Sequence, residues 1–178
     1  MKKIVWANKS NGQLCVTIPT GSGIKEGDIV TVEKEKVRRI VYSSVTADMF
    51  HYGHLRLLES ANNLGDFHIC GVLTDDAIKS YKEDPIAGLK DRKAIISSLR
   101  CVDMVMAQDK LDPTENLEKI HEQFGNAKLI LVYGSNWKKV PGSDYIKKIQ
   151  GEIVQPDFYE KLSTDNITKK ILARMEMR

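Results

Sequence analysis

Several large classes of protein are excluded by what the sequence lacks. It has three cysteines, Cys15, Cys70 and Cys101, an odd number at wide spacing with no CxxC pair. That excludes a disulfide framework and a cysteine-rich zinc site, and it fits a reduced compartment. No apolar run is long enough to span a membrane, and no apolar signal-like segment opens the chain. A cytoplasmic protein without a membrane partner is therefore expected. Neither sign of charge dominates: 27 Lys and Arg against 24 Asp and Glu leave a net +3, too mild to argue for nucleic acid. Repeats and low-complexity tracts are missing too. What is there, 178 residues of which 42% are hydrophobic, suffices for one good-sized domain, or for one domain and a small appendage.

Residues 1–36 read differently from the rest. Leu14, Val16 and Ile18 alternate with polar neighbours, the period of a half-buried strand, after an Asn11-Gly12 turn signal. Pro19 to Gly23 breaks the run, and Gly27-Asp28 leads into a second strand at Ile29-Val30-Thr31-Val32. Glu33 to Lys36 reads as a charged linker. This pattern resembles the small swapped-hairpin domain of the AbrB-like transition regulators. The resemblance implies a β-hairpin module that pairs between two subunits, because so few residues cannot bury a core alone. Lys2, Lys3, Lys9 and Lys25 could face phosphates on a β-ribbon. Dimerisation without nucleic acid is the preferred reading, since basic residues on a small domain are usually just solvated.

Residues 37–178 alternate between strand and helix patterns. Strands are expected at Val37 to Tyr42, Phe67 to Leu73, Val102 to Met106, Leu129 to Tyr133 and Ile153-Val154. Helices are expected at Tyr52 to Leu64 with Gly65 as its cap, from Asp75, over Lys90 to Leu99, over Pro113 to Phe124 with Gly125 closing it, and over Asp144 to Ile149. A last helix capped by Ser163 is expected to bury Ile167, Ile171 and Leu172. This rhythm predicts an α/β fold: a Rossmann-like parallel sheet with helices on both faces, preceded by the small β-hairpin module.

One stretch carries chemistry above all. Val45 to His54 holds His51-Tyr52-Gly53-His54 at a strand-to-helix turn, the edge where parallel α/β sheets bind ligands. Imidazoles beside a helix N-terminus suit a polyphosphate, and Gly53 would let the backbone approach it. Two structural histidines are the plain alternative. Zinc would need a third ligand nearby, and none stands at useful spacing.

The stretch resembles the first motif of the cytidylyltransferases, G-T/S-F-D-x-x-H-x-G-H. Asp48, His51, Gly53 and His54 match, whereas Val45 and Ala47 replace the usual glycine and phenylalanine. The likeness continues through Gly71 to Asp76, Ala77-Ile78-Ser80-Tyr81-Lys82, Asp91-Arg92 and Val102 to Val105. It is nearest to the cytidylyltransferases associated with phosphoenolpyruvate mutase, which activate phosphonates such as 2-aminoethylphosphonate. The family's H-G-D-D-W is matched only at Gly134 and Trp137, Ser135 and Asn136 standing for the acids, which argues against amine-bearing acceptors. Leu162 to Ile167 is similar to the family's closing I-S-S/T-T-x-I, but Lys161 and Phe158-Tyr159 replace its glycine and its arginine-threonine pair. Lys161 is the expected substitute for the missing positive charge.

The resemblance implies a CTP-dependent enzyme using magnesium (Mg2+). It implies His51, His54 and Lys82 as catalytic. It implies Thr46, Ala47, Asp48, Gly53, Arg92, Gly134, Ser163 and Thr164 at the nucleotide, and Tyr81, Lys82, Ser135, Asn136 and Trp137 at the acceptor. The metal ligands stay unassigned. The acceptor is a small phosphonate, with a phospho-alcohol such as glycerol phosphate or phosphocholine and an adenylyl rather than cytidylyl transfer as alternatives. A DNA-binding regulator that senses a nucleotide is the alternative of another class.

Overall fold

A computed structural model describes residues 6–7, 10, 13–18, 21–30 and 38–177. Its contacts divide the chain into two units, Met1–Lys36 and Val37–Arg178. In the first unit, β1 (Trp6–Ala7) pairs antiparallel with β2 (Leu14–Cys15). These strands are shorter than the alternation predicts. Val16 to Ile18 and Ile29-Val30 lie outside any strand, and Leu14 is 71% exposed. Among the described residues of so short a segment, the apolar side chains find no second layer. The expectations at Lys2, Lys3, Lys9, Asn11-Gly12, Thr31-Val32 and Glu33 to Lys36 lie outside the described residues.

The second unit is built on five parallel strands: β3 (Arg39–Val45), β4 (Phe67–Leu73), β5 (Met104–Gln108), β6 (Lys128–Val132) and β7 (Glu152–Val154). Their order across the sheet is β5-β4-β3-β6-β7. Every residue of β4 is buried, which is why that stretch reads as an unbroken apolar run rather than an alternating one. Val41, Val45, Cys70, Val72, Ile130 and Val132 face α1 (Tyr52–Asn62) and α3 (Leu89–Ser97), meeting Leu58, Ala61 and Ile96. Residues of the other parity face α4 (Thr114–Phe124): Asn116 donates to the Tyr42 hydroxyl, and the Phe67 and Phe124 rings lie 6.0 Å apart. Against α4 lies α5 (Ser143–Lys148), its Tyr145 ring edge-on to His121. Helices thus cover both faces, as the βα rhythm implies.

Local expectations differ at several points, β3 among them, which runs from Arg39 to Val45 where the sequence predicts Val37 to Tyr42. Gly65 is not the cap of α1, which ends at Asn62 with Asn63 in right-handed conformation. A Cβ at Gly65 would lie 2.6 Å from Val41 Cγ2 and 2.8 Å from the Arg39 carbonyl, so glycine there serves close packing. The strand predicted over Val102 to Met106 begins at Met104, because pairing with β4 starts at Ile69↔Met104. Asp103 is spent on the turn before it, accepting from the His68 amide. The strand predicted to reach Tyr133 ends at Val132. Finally, α6 (Thr164–Glu176) is capped by Ser163 as expected but buries no residue, Ile171 and Leu172 being 47% and 54% exposed. Its periodicity records an apolar stripe, and within the described residues nothing fully covers it. No helix among the described residues is long and apolar enough to cross a membrane.

The order of strands fixes where a ligand belongs. β3 runs through α1 on one face to β4, and β6 runs through α5 on the opposite face to β7. The loops leaving β3 and β6 diverge, and a crevice opens at the carboxyl ends between them.

Candidate active site

A cavity of about 660 Å3 occupies that crevice. Its first wall is the loop from β3 into α1. Ala47 and Met49 sit there at φ 59° and 50°, left-handed backbone that costs a non-glycine residue of order 1 kcal/mol each. Two side chains hold the loop in that shape. The Asp48 carboxylate accepts from the Ile86 and Ala87 amides, both at 3.0 Å. Arg92, fully buried, donates to the carbonyls of Thr46, Leu73 and Ala87 and to the Asp75 carboxylate. This corrects the expectation that Arg92 binds phosphate, because its guanidinium is spent on the protein. Ala47 and Asp48 likewise shape the loop and do not line the cavity, whereas Thr46 does.

The loop ends in a reciprocal cap. His51 Nδ1 accepts from the Gly53 amide at 3.0 Å, and His54 Nδ1 accepts from the His51 amide at 3.3 Å. Two imidazoles thereby do what Ser and Glu do in the usual capping box, with ring centroids 4.0 Å apart. Because each Nδ1 accepts, a neutral ring carries its proton on Nε2. Burial, helped by His51 and then Lys82, pushes the His54 pKa down to about 4. Burial also lowers that of His51. Near pH 7 the turn therefore presents two neutral Nε2–H donors. Gly53 serves this pair: a Cβ there would lie 2.9 Å from His51 Cε1 and 3.3 Å from the Leu162 carbonyl. The protein's own packing therefore already asks for glycine here, and Gly53 also lines the cavity.

The second wall carries Tyr81 and Lys82, which follow α2 (Asp75–Lys79). The Lys82 ammonium lies 5.8 Å from the centre of the Tyr81 ring and makes no ion pair among the described residues. The third wall follows β6. Gly134, Asn136 and Trp137 line the cavity, and a Cβ at Gly134 would meet Asn136 Oδ1 at 2.8 Å. Ser135 does not line it; its hydroxyl accepts from the Phe158 amide at 2.9 Å. The expected acceptor contact at Ser135 is thus a loop-to-loop tie. Tyr133 supports Trp137 edge-on at 5.5 Å, and burial pushes its phenol up to about 12. The fourth wall is the Pro156 to Tyr159 segment with the start of α6, where Ser163 and Thr164 line the cavity. Ser163 Oγ caps the helix by accepting from the Asn166 amide at 3.2 Å. Lys161 is exposed and does not line this cavity.

Arg56 and Ser60 also line the cavity and had not been anticipated. The signal was present: Gly53, Arg56, Leu57 and Ser60 recur at helical spacing and share one face of α1. No group of three His, Cys, Asp or Glu able to hold a metal comes together among the described residues.

A crevice at the switch point of a parallel sheet, lined by two helix N-termini, is where α/β proteins of this architecture hold their ligands. The chain belongs to the cytidylyltransferase-like family, whose model matches residues 46–169. It is 35% identical over 83% of its length to the bifunctional protein HldE of Helicobacter hepaticus, covering 30% of that protein. It is 29% identical over 84% of its length to HldE of Syntrophotalea carbinolica, again covering 30% of it. The chain thus spans under a third of the curated relatives it matches. Among solved structures, the lipopolysaccharide core biosynthesis protein of Thermoplasma volcanium GSS1 superposes with a TM-score of 0.56 at 23% identity, over 68% of this chain and 98% of that one. That likeness bears on the fold.

Proposed function

We propose that this protein is a nucleotidyltransferase that moves CMP from CTP to a small phosphonate or phospho-alcohol and releases pyrophosphate. The observation that carries the reading is the pair of neutral imidazoles, each with Nδ1 tied to the backbone and Nε2–H left for a ligand, in a cavity that the start of α6 also lines. The acceptor's anionic oxygen attacks the α-phosphorus in line, the bond to the leaving pyrophosphate breaks, and no protein nucleophile is required. Catalysis is then positioning and charge stabilisation. His51 and His54 donate to α-phosphate and bridging oxygens, whose charge grows as the bond breaks. Lys82 offsets the repulsion between the two anionic reactants. The α6 N-terminus, with Ser163 and Thr164, holds the leaving phosphates.

Magnesium carried on the triphosphate would supply further charge neutralisation. Such an ion keeps much of its water and needs few protein ligands, and Asp157 and Asp165 are the carboxylates on the cavity wall. Ser44, Tyr133 and Asn136 line the cavity without charge, and positions 135 and 136, assigned to the acceptor in this reading, carry no carboxylate. This favours a neutral acceptor tail over an ammonium. In the same reading, residues 1–36 pair between two copies. Their exposed Leu14, Ile24, Ile29 and Val30 support this, and light scattering of the full chain against one lacking residues 1–36 tests it.

The test of the chemistry is pyrophosphate release. CTP and ATP are each offered with magnesium and with matched phosphonates and phospho-alcohols, and the nucleotides and acceptors of the HldE proteins belong on the same panel. Turnover with CTP and a phosphonate is the expected result. Turnover with ATP alone would move the base but keep the chemistry, and failure to bind either nucleotide would defeat it.

A further inference from the structure

Four charged side chains line the cavity, Arg56 and Lys82 against Asp157 and Asp165. With both histidines neutral, their formal charges cancel. A polyphosphate therefore meets walls with no net charge to spare, and each cation matters. Lys82 stands by His54, whose pKa it lowers, at the His-x-Gly-His end. Arg56 sits farther along α1, on the face shared by Gly53, Leu57 and Ser60. Its guanidinium lies over the Tyr159 ring, 5.4 Å from the centroid. Tyr159 is in turn held edge-on by Tyr52 at 5.2 Å. Arg56 makes no ion pair among the described residues. An arginine stacked on a ring and lacking a carboxylate has a fixed direction and unspent donors.

We infer that Arg56, propped by Tyr159, holds the β- and γ-phosphates of the nucleotide. It would do so from α1, beside the segment that leads into α6. Tyr159 occupies the segment where Phe158-Tyr159 leaves the closing loop without a cation, and Lys161 does not face the cavity. The positive charge has moved from the loop to the neighbouring helix α1, and the loop keeps an aromatic ring to aim it. This rests on the nucleotide reading above.

Calorimetry of the full chain with magnesium tests it, using whichever of CTP and ATP binds more tightly and the matching monophosphate. Arg56→Gln is expected to weaken triphosphate binding roughly ten- to a hundredfold, the loss of charge-assisted hydrogen bonds, while the monophosphate affinity stays within about threefold. Arg56→Lys recovers part of the loss. Tyr159→Leu weakens the triphosphate alone, and Tyr159→Phe does not, because the ring suffices. Lys161→Ala changes neither. Equal losses for triphosphate and monophosphate would assign Arg56 a structural role and overturn the inference, as would an Arg56→Gln chain that binds triphosphate like the wild type. A wild-type chain that binds no nucleotide would overturn the nucleotide reading and this inference together.

Discussion

The two helix starts that line the cavity are built very differently. α1 begins in a cap made of two imidazoles, continues into Leu58 and Ala61 with no exposed surface, and is preceded by a loop locked by Asp48 and buried Arg92. α6 begins in an ordinary serine cap and buries nothing along its thirteen residues. The α1 side is tied to the core, so its donors are already in place when a ligand arrives. The α6 side is held near its first turn, by the approach of Leu162 to Gly53 and of Tyr159 to Tyr52. Preorganisation resides in the first wall, and the fourth, with α6, is the one whose stability a ligand can raise.

The largest effect that can break this contrast is Arg92→Ala. It strands three loop carbonyls and the Asp75 carboxylate, and should cost about 3–5 kcal/mol of global stability, read by denaturant unfolding. A loss confined to nucleotide affinity would mean that Arg92 is a ligand and the loop needs no lock. Next is His54→Ala. It removes a donor to the developing charge, and is expected to lower turnover about a hundred- to thousandfold, roughly 3–4 kcal/mol. The fold should lose only about the 1 kcal/mol of a cap. Wild-type turnover in that variant would rule out the assignment.

Protonation gives the third measurement. His54 titrates at about 4 when folded and near its ordinary 6.5 when unfolded. The unfolded chain therefore binds the extra proton first. The stability linked to His54 is present above pH 6.5 and is lost as pH falls from there toward 4, by up to about 3 kcal/mol. An anionic nucleotide reverses the shift, so its binding should take up protons across that window. Titrations in buffers of different ionisation heat read this directly. Binding without proton uptake would remove the imidazoles from the phosphates.

The smallest effect sharpens the other side. Ser163→Ala should cost about 1 kcal/mol, felt as faster amide exchange within α6 while the global unfolding midpoint stays put. A drop in that midpoint would show α6 to be part of the core after all.

The comparison also explains what could be read early. The α1 side was legible because its signals are local: His51, Gly53 and His54 lie within four residues, and the buried runs of β3 and β4 precede and follow them. Ser163 was legible for the same reason, since a cap is set by its neighbours. Arg92 reads as a phosphate ligand because a charged residue at a helix start looks the same whether it faces phosphate or the carbonyls of Thr46, Leu73 and Ala87. Ser135 was misassigned because Phe158, its partner, lies on another loop. Arg56 was overlooked because its meaning depends on Tyr159, a hundred residues later in the chain and beside it in space.

The sequence by itself determined the parallel α/β architecture, the place of the His-x-Gly-His turn at a strand's end and the serine cap of the last helix. Those follow from periodicity and from chemistry within a few residues. Only the tertiary structure decided which charges are spent and which are available. That Arg92 and Asp48 shape a loop while Arg56 and Lys82 face the cavity depends on partners brought together by the order β5-β4-β3-β6-β7. A side chain's hydrogen bonds are settled by what folding places within about three ångströms of it, and sequence separation does not encode that distance.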